Sequence, residues 1–185
     1  MDFEQLTDAD VVKLAQADNA DAFDELMRRY KRPVLNFVYR MLGNAADAED
    51  VAQEVFVRVY QNLRTYKPGT KFSTWLFTLA NHAAIDRLRW RKRHPTESLD
   101  NATETSTSTP ATAVNDALAH EIGDHIAAAV AQLPEDQRAV LVLSEYHGQS
   151  YAEIAAVMRC SEKSVEARLY RAKQTLRRQL KFLLD

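Results

Sequence analysis

The sequence is poor in the residues that would fix a chain by covalent links or tight turns. A single cysteine, Cys160, in 185 residues excludes an internal disulfide framework. Four glycines and five prolines leave little turn chemistry for a chain of many short strands. No period-two alternation of apolar and polar residues runs for any length, and no internal repeat appears, so neither a sheet nor a solenoid is expected. No apolar run approaches the ~20 residues of a membrane span. The acidic opening MDFEQLTDADVV has no apolar core of a secretory signal, so a cytoplasmic protein without membrane insertion is expected. Gly-rich phosphate loops, a nucleophile elbow and zinc ribbons are missing, and His120, His125 and His147 keep no metal-binding spacing. Neither enzymatic chemistry nor a metal or cofactor is therefore expected. Between residues 95 and 130 there is no Lys or Arg at all, against six Asp/Glu.

What is abundant is Ala, Leu, Glu, Arg and Gln, a helix-forming composition. The segment TESLDNATETSTSTPATAVND, residues 96–116, holds almost no large apolar side chain and reads as a flexible linker, because it cannot bury enough surface to offset its ordering entropy. The expected organisation is all-α: a helical domain over 1–95, the linker over 96–116, and a second helical domain over 117–185. Thr7 and Asp10 can cap a first helix. A second should run from about Asp21 to Leu42, kinked at Pro33 and ended by Gly43. Val51, Val55, Val59 and Leu63 recur at four-residue spacing on a third. A fourth starts near Ser73 and ends in RLRWRKR. Beyond the linker, Val114, Leu118, Ile122, Ile126, Ala129 and Leu133 form one stripe, and Pro134 opens the next helix.

The end of the chain is the most specific part. Ser150-Tyr151-Ala152-Glu153 is a capping box opening a short helix with Tyr151, Ile154, Ala155 and Met158 inward. Arg159-Cys160-Ser161 makes a tight turn, and a final helix buries Val165, Leu169, Ala172, Leu176 and Leu180. Two helices on a three-residue turn are the helix-turn-helix plan. From Arg159 to Lys181 there are eight Lys/Arg against two Glu, in a chain of net charge −2. Such a face is either simply solvated or, on a recognition helix, suited to guanine edges and phosphates in the major groove.

The motifs DAFDELMRRY, DAEDVAQEVFVRVY, FSTWLFTLANHAAIDRLRWRKR, LPEDQRAVLVLSEYHGQSYAEIAAVM and SVEARLYRAK occur in that order across both domains. In this the chain resembles the extracytoplasmic-function sigma factors, the two-domain alternative sigma subunits of bacterial RNA polymerase. The resemblance implies a transcription initiation factor that binds core polymerase, recognises minus-ten and minus-thirty-five promoter elements and assists melting. Its implied partners are the β′ clamp helices and β flap of core RNA polymerase, promoter DNA and an anti-sigma factor.

The resemblance assigns polymerase binding to Asp47, Asp50, Gln53 and Glu54. Minus-ten recognition falls to the loop TYKPGTKFSTW with Tyr66, Lys67, Lys71, Phe72 and Trp75, then to His82, Arg87, Arg89 and Arg91. Minus-thirty-five recognition falls to Ser161, Lys163, Ser164, Glu166, Arg168, Arg171 and Lys173. The residues themselves leave alternatives open. The acids could be a solvated first turn favoured by the helix dipole. Phe72 and Trp75 could be core, or walls for a flipped base. His82 stands where the family commonly has Asn, beside the loop and on one helix side with Thr78, and Glu166 stands where it often has Lys or Arg. A free-standing helix-turn-helix regulator is the second reading, and an enzyme acting on DNA a distant third.

Overall fold

In the computed structural model of the protein, residues 3, 5–67, 69–95 and 115–183 are described. The expected linker lies outside them, except for Asn115 and Asp116, which already belong to a helix. The helices are α1 (Asp8–Gln16), α2 (Ala20–Leu42), α3 (Ala45–Asn62), α4 (Phe72–Arg93), α5 (Asn115–Ala131), α6 (Glu135–Glu145), α7 (Tyr151–Met158) and α8 (Glu162–Gln179). No strand occurs among the described residues, and no helix there is long and apolar enough to cross a membrane. The all-α expectation holds, with α1–α4 forming one helical unit and α5–α8 the other.

The helices α1, α2, α3, α7 and α8 each start where a side chain satisfies a free N–H group. Thr7 accepts from the Asp10 amide at 3.3 Å and donates to its carboxylate at 2.6 Å. Asn19 and Asn44 cap α2 and α3 in the same way. Gly43 ends α2 in the left-handed region, at φ 68°, where a side chain would be strained. As expected, α2 runs on through Pro33, and the next residue, Val34, is fully buried. The packing of its far half outweighs the hydrogen bond Pro33 cannot make.

The predicted stripe of α3 is the core: Val51, Val55, Val59 and, in the turn that follows, Leu63 are all buried. They face Phe37, Val38 and Met41 of α2 and Leu76, Phe77 and Ala80 of α4. Burying a side chain such as Phe37 is worth about 2–3 kcal/mol. The helix α1 is tied on by charge. Arg29 donates to Glu25, Asp8 and the Phe3 and Leu6 carbonyls, and Tyr30 hydrogen-bonds Asp8.

In the second unit, Ala139 to Leu143 of α6 are buried all round, because α6 is packed on by α2, α7 and α8. The capping box at Ser150 and Glu153 forms as expected. One inward assignment fails: Tyr151 is 41% exposed, and Val157 takes its place in the core with Ile154 and Ala155. Tyr151 opens the short helix at its N-terminal turn, whereas Val157, near the helix end, is fully buried.

The two units pack against each other, α7 on α4 and α6 on α2. Arg138, itself buried, donates to the Met41 carbonyl of α2 and to Ala131 and Leu133 in its own unit. His147 follows α6 and inserts its ring between Phe77, at 4.7 Å, and Phe37, at 6.0 Å. Arg40 of α2 lies over the Tyr146 ring at 3.6 Å.

Burial first, and the positive charge of Arg40 second, hold the His147 pKa down to about 4. Its folded value is below the ordinary 6.5, so the packing favours neutral imidazole. The stability it contributes is full above pH 6.5 and is lost as pH falls toward 4. An NMR titration of the His147 ring should therefore show a midpoint near 4. A midpoint at 6.5 would mean that the ring does not sit between Phe37 and Phe77.

Candidate polymerase and nucleic-acid interfaces

The start of α3 was expected to offer four polar groups to a partner. Three do face outward. Gln53 is exposed, and the Asp50 and Glu54 side chains are 68% and 52% exposed. Glu54 pairs with Arg58 one turn on, at 2.5 Å. Asp47 departs from the expectation, being 7% exposed and turned inward. Its carboxylate pairs with Arg91 and, at 3.3 Å, with Arg87, both from the end of α4. The cause is the approach of α4 to the α2–α3 corner, which brings two guanidinium groups to the first turn of α3. Next to Gln53, an apolar groove of about 830 Å³ runs between α2 and α3, lined by Phe23, Met27, Leu35, Phe56, Val57 and Tyr60. Val57 and Tyr60 are exposed for apolar side chains, at 54% and 69%. Acids beside an open apolar groove suit a basic amphipathic helix.

The same pairing changes the basic end of α4. Arg89 is exposed, as a phosphate contact requires. Arg87 and Arg91 are only 27% and 19% exposed and are held by Asp47, with Asp50 a further 3.7 Å partner of Arg87. Arg91 also donates to the Leu42 carbonyl at 2.8 Å. They act here as internal ties, contrary to the expectation of free groups.

The loop before α4 is an aromatic cluster. Tyr66 lies 4.9 Å from Trp75 and 5.9 Å from Phe72, and its hydroxyl donates to the Thr70 carbonyl at 2.6 Å. Gln16 of α1 fastens the loop by donating to the Leu63 and Tyr66 carbonyls. Phe72 is buried, against Tyr30, and is core. Trp75 and Tyr66 are half-buried and present ring surface. Lys67 is exposed, and Lys71 pairs at 2.7 Å with Glu153 of α7. Lys71 first, then the Ser150 amide, hold the Glu153 pKa down to about 2.

His82 and Thr78 are half-buried, Leu76, Ala80 and Ala83 are buried, and Leu79 is partly so, close to the expected division of the helix. At 1.5 Å rise per residue, His82 lies about 10 Å along α4 from Trp75. It makes no ring contact among the described residues.

The helix α8 is held by Val165, Leu169 and Ala172, all buried, with Leu176 and Leu180 partly so. Ser161 caps it by accepting from the Ser164 amide at 3.2 Å. Arg159 adopts the left-handed conformation at φ 50°, which closes the turn. Lys163, Glu166 and Arg171 are exposed, and Ser164 is half-buried. Glu166 has no ion pair among the described residues. Arg168 is drawn inward to Asp136 at 3.1 Å, and Lys173 pairs with Glu145 at 2.9 Å. Arg168 and Lys173 are thus engaged within the unit, while Lys163, Arg171, Arg177 and Arg178 are exposed without an ion pair among the described residues. Sequence reasoning missed Arg138 and His147 as the residues joining the units. The one local sign was an Arg directly before the apolar run Ala139 to Leu143.

Family models described as Sigma-70 region 2 and Sigma-70, region 4 match residues 26–94 and 124–176. The chain is 33% identical to the RNA polymerase sigma-H factor of Pseudomonas aeruginosa, over 97% of each chain. It is equally identical to the ECF RNA polymerase sigma factor SigW of Bacillus subtilis, over 93% of this chain and 96% of that one. Among solved structures it is similar to CnrH in complex with the cytosolic domain of CnrY, with TM-score 0.70 and 28% identity, covering 94% of this chain and 97% of that one.

The Asp47 pair should be structural. Asp47→Ala strands the half-buried Arg91 and should cost about 3 kcal/mol. Asp50→Ala, at an exposed position, should cost less than ~0.5 kcal/mol. Denaturant unfolding of both variants measures the difference; equal losses would show that Asp47 is as solvated as Asp50.

Proposed function

Given that this chain belongs to the extracytoplasmic-function sigma factors, we propose that α3 and the groove beside it dock on core RNA polymerase while the Tyr66–Trp75 loop and α8 read the promoter. The protein is a transcription initiation factor: it binds core polymerase, directs it to promoters and assists melting. The observation that carries this is the presence, in one chain, of matches to both sigma regions, over residues 26–94 and 124–176.

Asp50, Gln53 and Glu54 face the β′ clamp helices, and the apolar groove receives the partner's hydrophobic side. The second unit lies toward the β flap. Tyr66 and Trp75 wall the site for an unstacked minus-ten base, since any base can stack on an aromatic ring. Lys67, Lys71 and Arg89 neutralise backbone phosphates. His82 offers one donor and one acceptor to a base edge further along α4. On α8, Arg171 and Lys163 meet the minus-thirty-five element, with Ser164 and Glu166 beside them. Bond formation belongs to the polymerase; this chain positions and opens DNA, in the cytoplasm where the polymerase works. CnrH binds the cytosolic domain of CnrY, and a comparable protein, an anti-sigma factor, is proposed to hold this chain in check.

Reconstitution with core polymerase tests the whole reading: promoter-specific transcripts are expected, and DNA binding without them would favour a plain regulator. Reversing Asp50 and Glu54 to Arg should weaken core binding tenfold or more while leaving the unfolding midpoint in place. Unchanged core binding at modest salt would remove α3 from that interface.

On DNA, Arg171→Ala should cost about 1–3 kcal/mol and relax preference at one minus-thirty-five position. Lys163→Ala should weaken all sequences evenly and flatten the salt dependence. A binding series against single-base promoter variants at two salt concentrations reads both effects, and no change in either would make the face merely solvated.

A further inference from the structure

The aromatic loop assigned to the minus-ten element is fastened by a helix that has no assigned contact of its own, α1. Between the buried Leu63 and Phe72 this segment is largely open: Arg64, Thr65, Lys67 and residues 69–71 are exposed. An exposed segment keeps its side chains in one place only where its backbone is tied. No backbone N–H among the described residues donates to the Tyr66 carbonyl. Gln16, the last residue of α1, donates to it at 2.7 Å and to the Leu63 carbonyl at 2.9 Å. A primary amide carries two N–H donors on one nitrogen, so one side chain serves both carbonyls.

Two further contacts join α1 to the same cluster. Asp18, which follows the helix in the left-handed region at φ 63°, puts its carboxylate 2.5 Å from Arg64. At the other end of the helix, Asp8 accepts from the Tyr30 hydroxyl, and the Tyr30 ring backs Phe72 edge to face at 5.3 Å. The Arg64 pair is exposed and therefore weak. The Gln16 bonds are part-buried and hold the peptide that carries the Tyr66 ring. That ring lies 4.9 Å from Trp75, the other ring of the proposed base site. Such a site works only when its groups are held within about 0.5 Å of the productive place.

We propose that Gln16 is a positioning residue for promoter opening: acting through the loop and not by touching DNA, it holds Tyr66 against Trp75, so that an unstacked minus-ten base meets a ring surface already formed. The tie is a contact of the structure; its effect on DNA rests on the minus-ten reading above.

The full chain and its holoenzyme test this with Gln16→Leu, close in size but without donors, and Gln16→Lys, whose ammonium has donors for both carbonyls. The chain has two tryptophans, so the indole N–H signal of Trp75 is readily followed by NMR in the free protein. It should shift in Gln16→Leu and return toward its wild-type position in Gln16→Lys, while that of Trp90 stays. In holoenzyme, Gln16→Leu should slow promoter opening, read by permanganate reactivity of melted thymines, and weaken capture of a single-stranded minus-ten oligonucleotide. Each effect should be about tenfold, the scale of one lost base–aromatic stack. Binding of a duplex carrying only the minus-thirty-five element should not change, and Gln16→Lys should recover most of the opening rate. A Trp75 signal that does not move in Gln16→Leu overturns the tie. Equal weakening on both DNAs marks general destabilisation and overturns the proposal, as does unchanged opening. If wild-type holoenzyme itself captures no minus-ten strand, the minus-ten reading fails instead, and the indole signal still decides whether Gln16 holds the loop.

Discussion

The last carbonyls of α2 have no partner within their own helix, and the architecture turns on how they find one. Any helix leaves such groups free at its C-terminus, and a buried one must satisfy them from elsewhere. Gly43 turns back to serve the Tyr39 carbonyl. Arg91 reaches across from α4 to Leu42, and Arg138 from α6 to Met41. Guanidinium suits this task, because its donors fan out in a plane and one group can serve several acceptors. Each arginine thereby joins a separate element to the same corner.

From that corner the electrostatics follow. Once Arg91 lies against Leu42, its charge falls beside the first turn of α3, and Asp47 is the anion there. The pair is satisfied internally, and Arg87 is drawn into it. What is left for a partner is set by subtraction. On α3 the outward acids are Glu49, Asp50 and Glu54, beside an apolar groove. At the end of α4, Arg89, Lys92 and Arg93 face solvent. The start of α3 and the end of α4, the faces proposed for polymerase and for DNA, thus share one internal ion-pair network.

The second unit shows the same economy. Arg168 and Lys173 of α8 pair with Asp136 and Glu145 of α6, which fixes the helix on its scaffold. A recognition helix needs a rigid mount, since misplacement at the groove loses base contacts. The groups that fix it are taken from its basic count, and the exposed remainder is what the proposed minus-thirty-five contact can use.

Local features were legible before any coordinates. The caps at Thr7, Ser150 and Ser161, the αL stop at Gly43, the Val51–Leu63 stripe and the Val165–Ala172 stripe depend on residues three or four apart, and sequence spacing states them directly. The helix-turn-helix and the basic character of α8 followed from the same local rules. The outward place of Tyr151 did not, because packing against distant helices outweighed local preference. The partners of Asp47, Arg91, Arg138 and His147 lay beyond sequence reading altogether. The Arg91–Asp47 and Arg138–Met41 contacts join positions 44 and 97 residues apart. A charge pattern tells which groups could pair, and only the approach of the helices decides which do. The sequence by itself determined the helices, their order and the chemistry each can present. The tertiary structure decided which charges stay outside, and that the two helical units pack on each other, because ion pairing and aromatic packing fall off within a few ångströms while the chain that joins them spans tens.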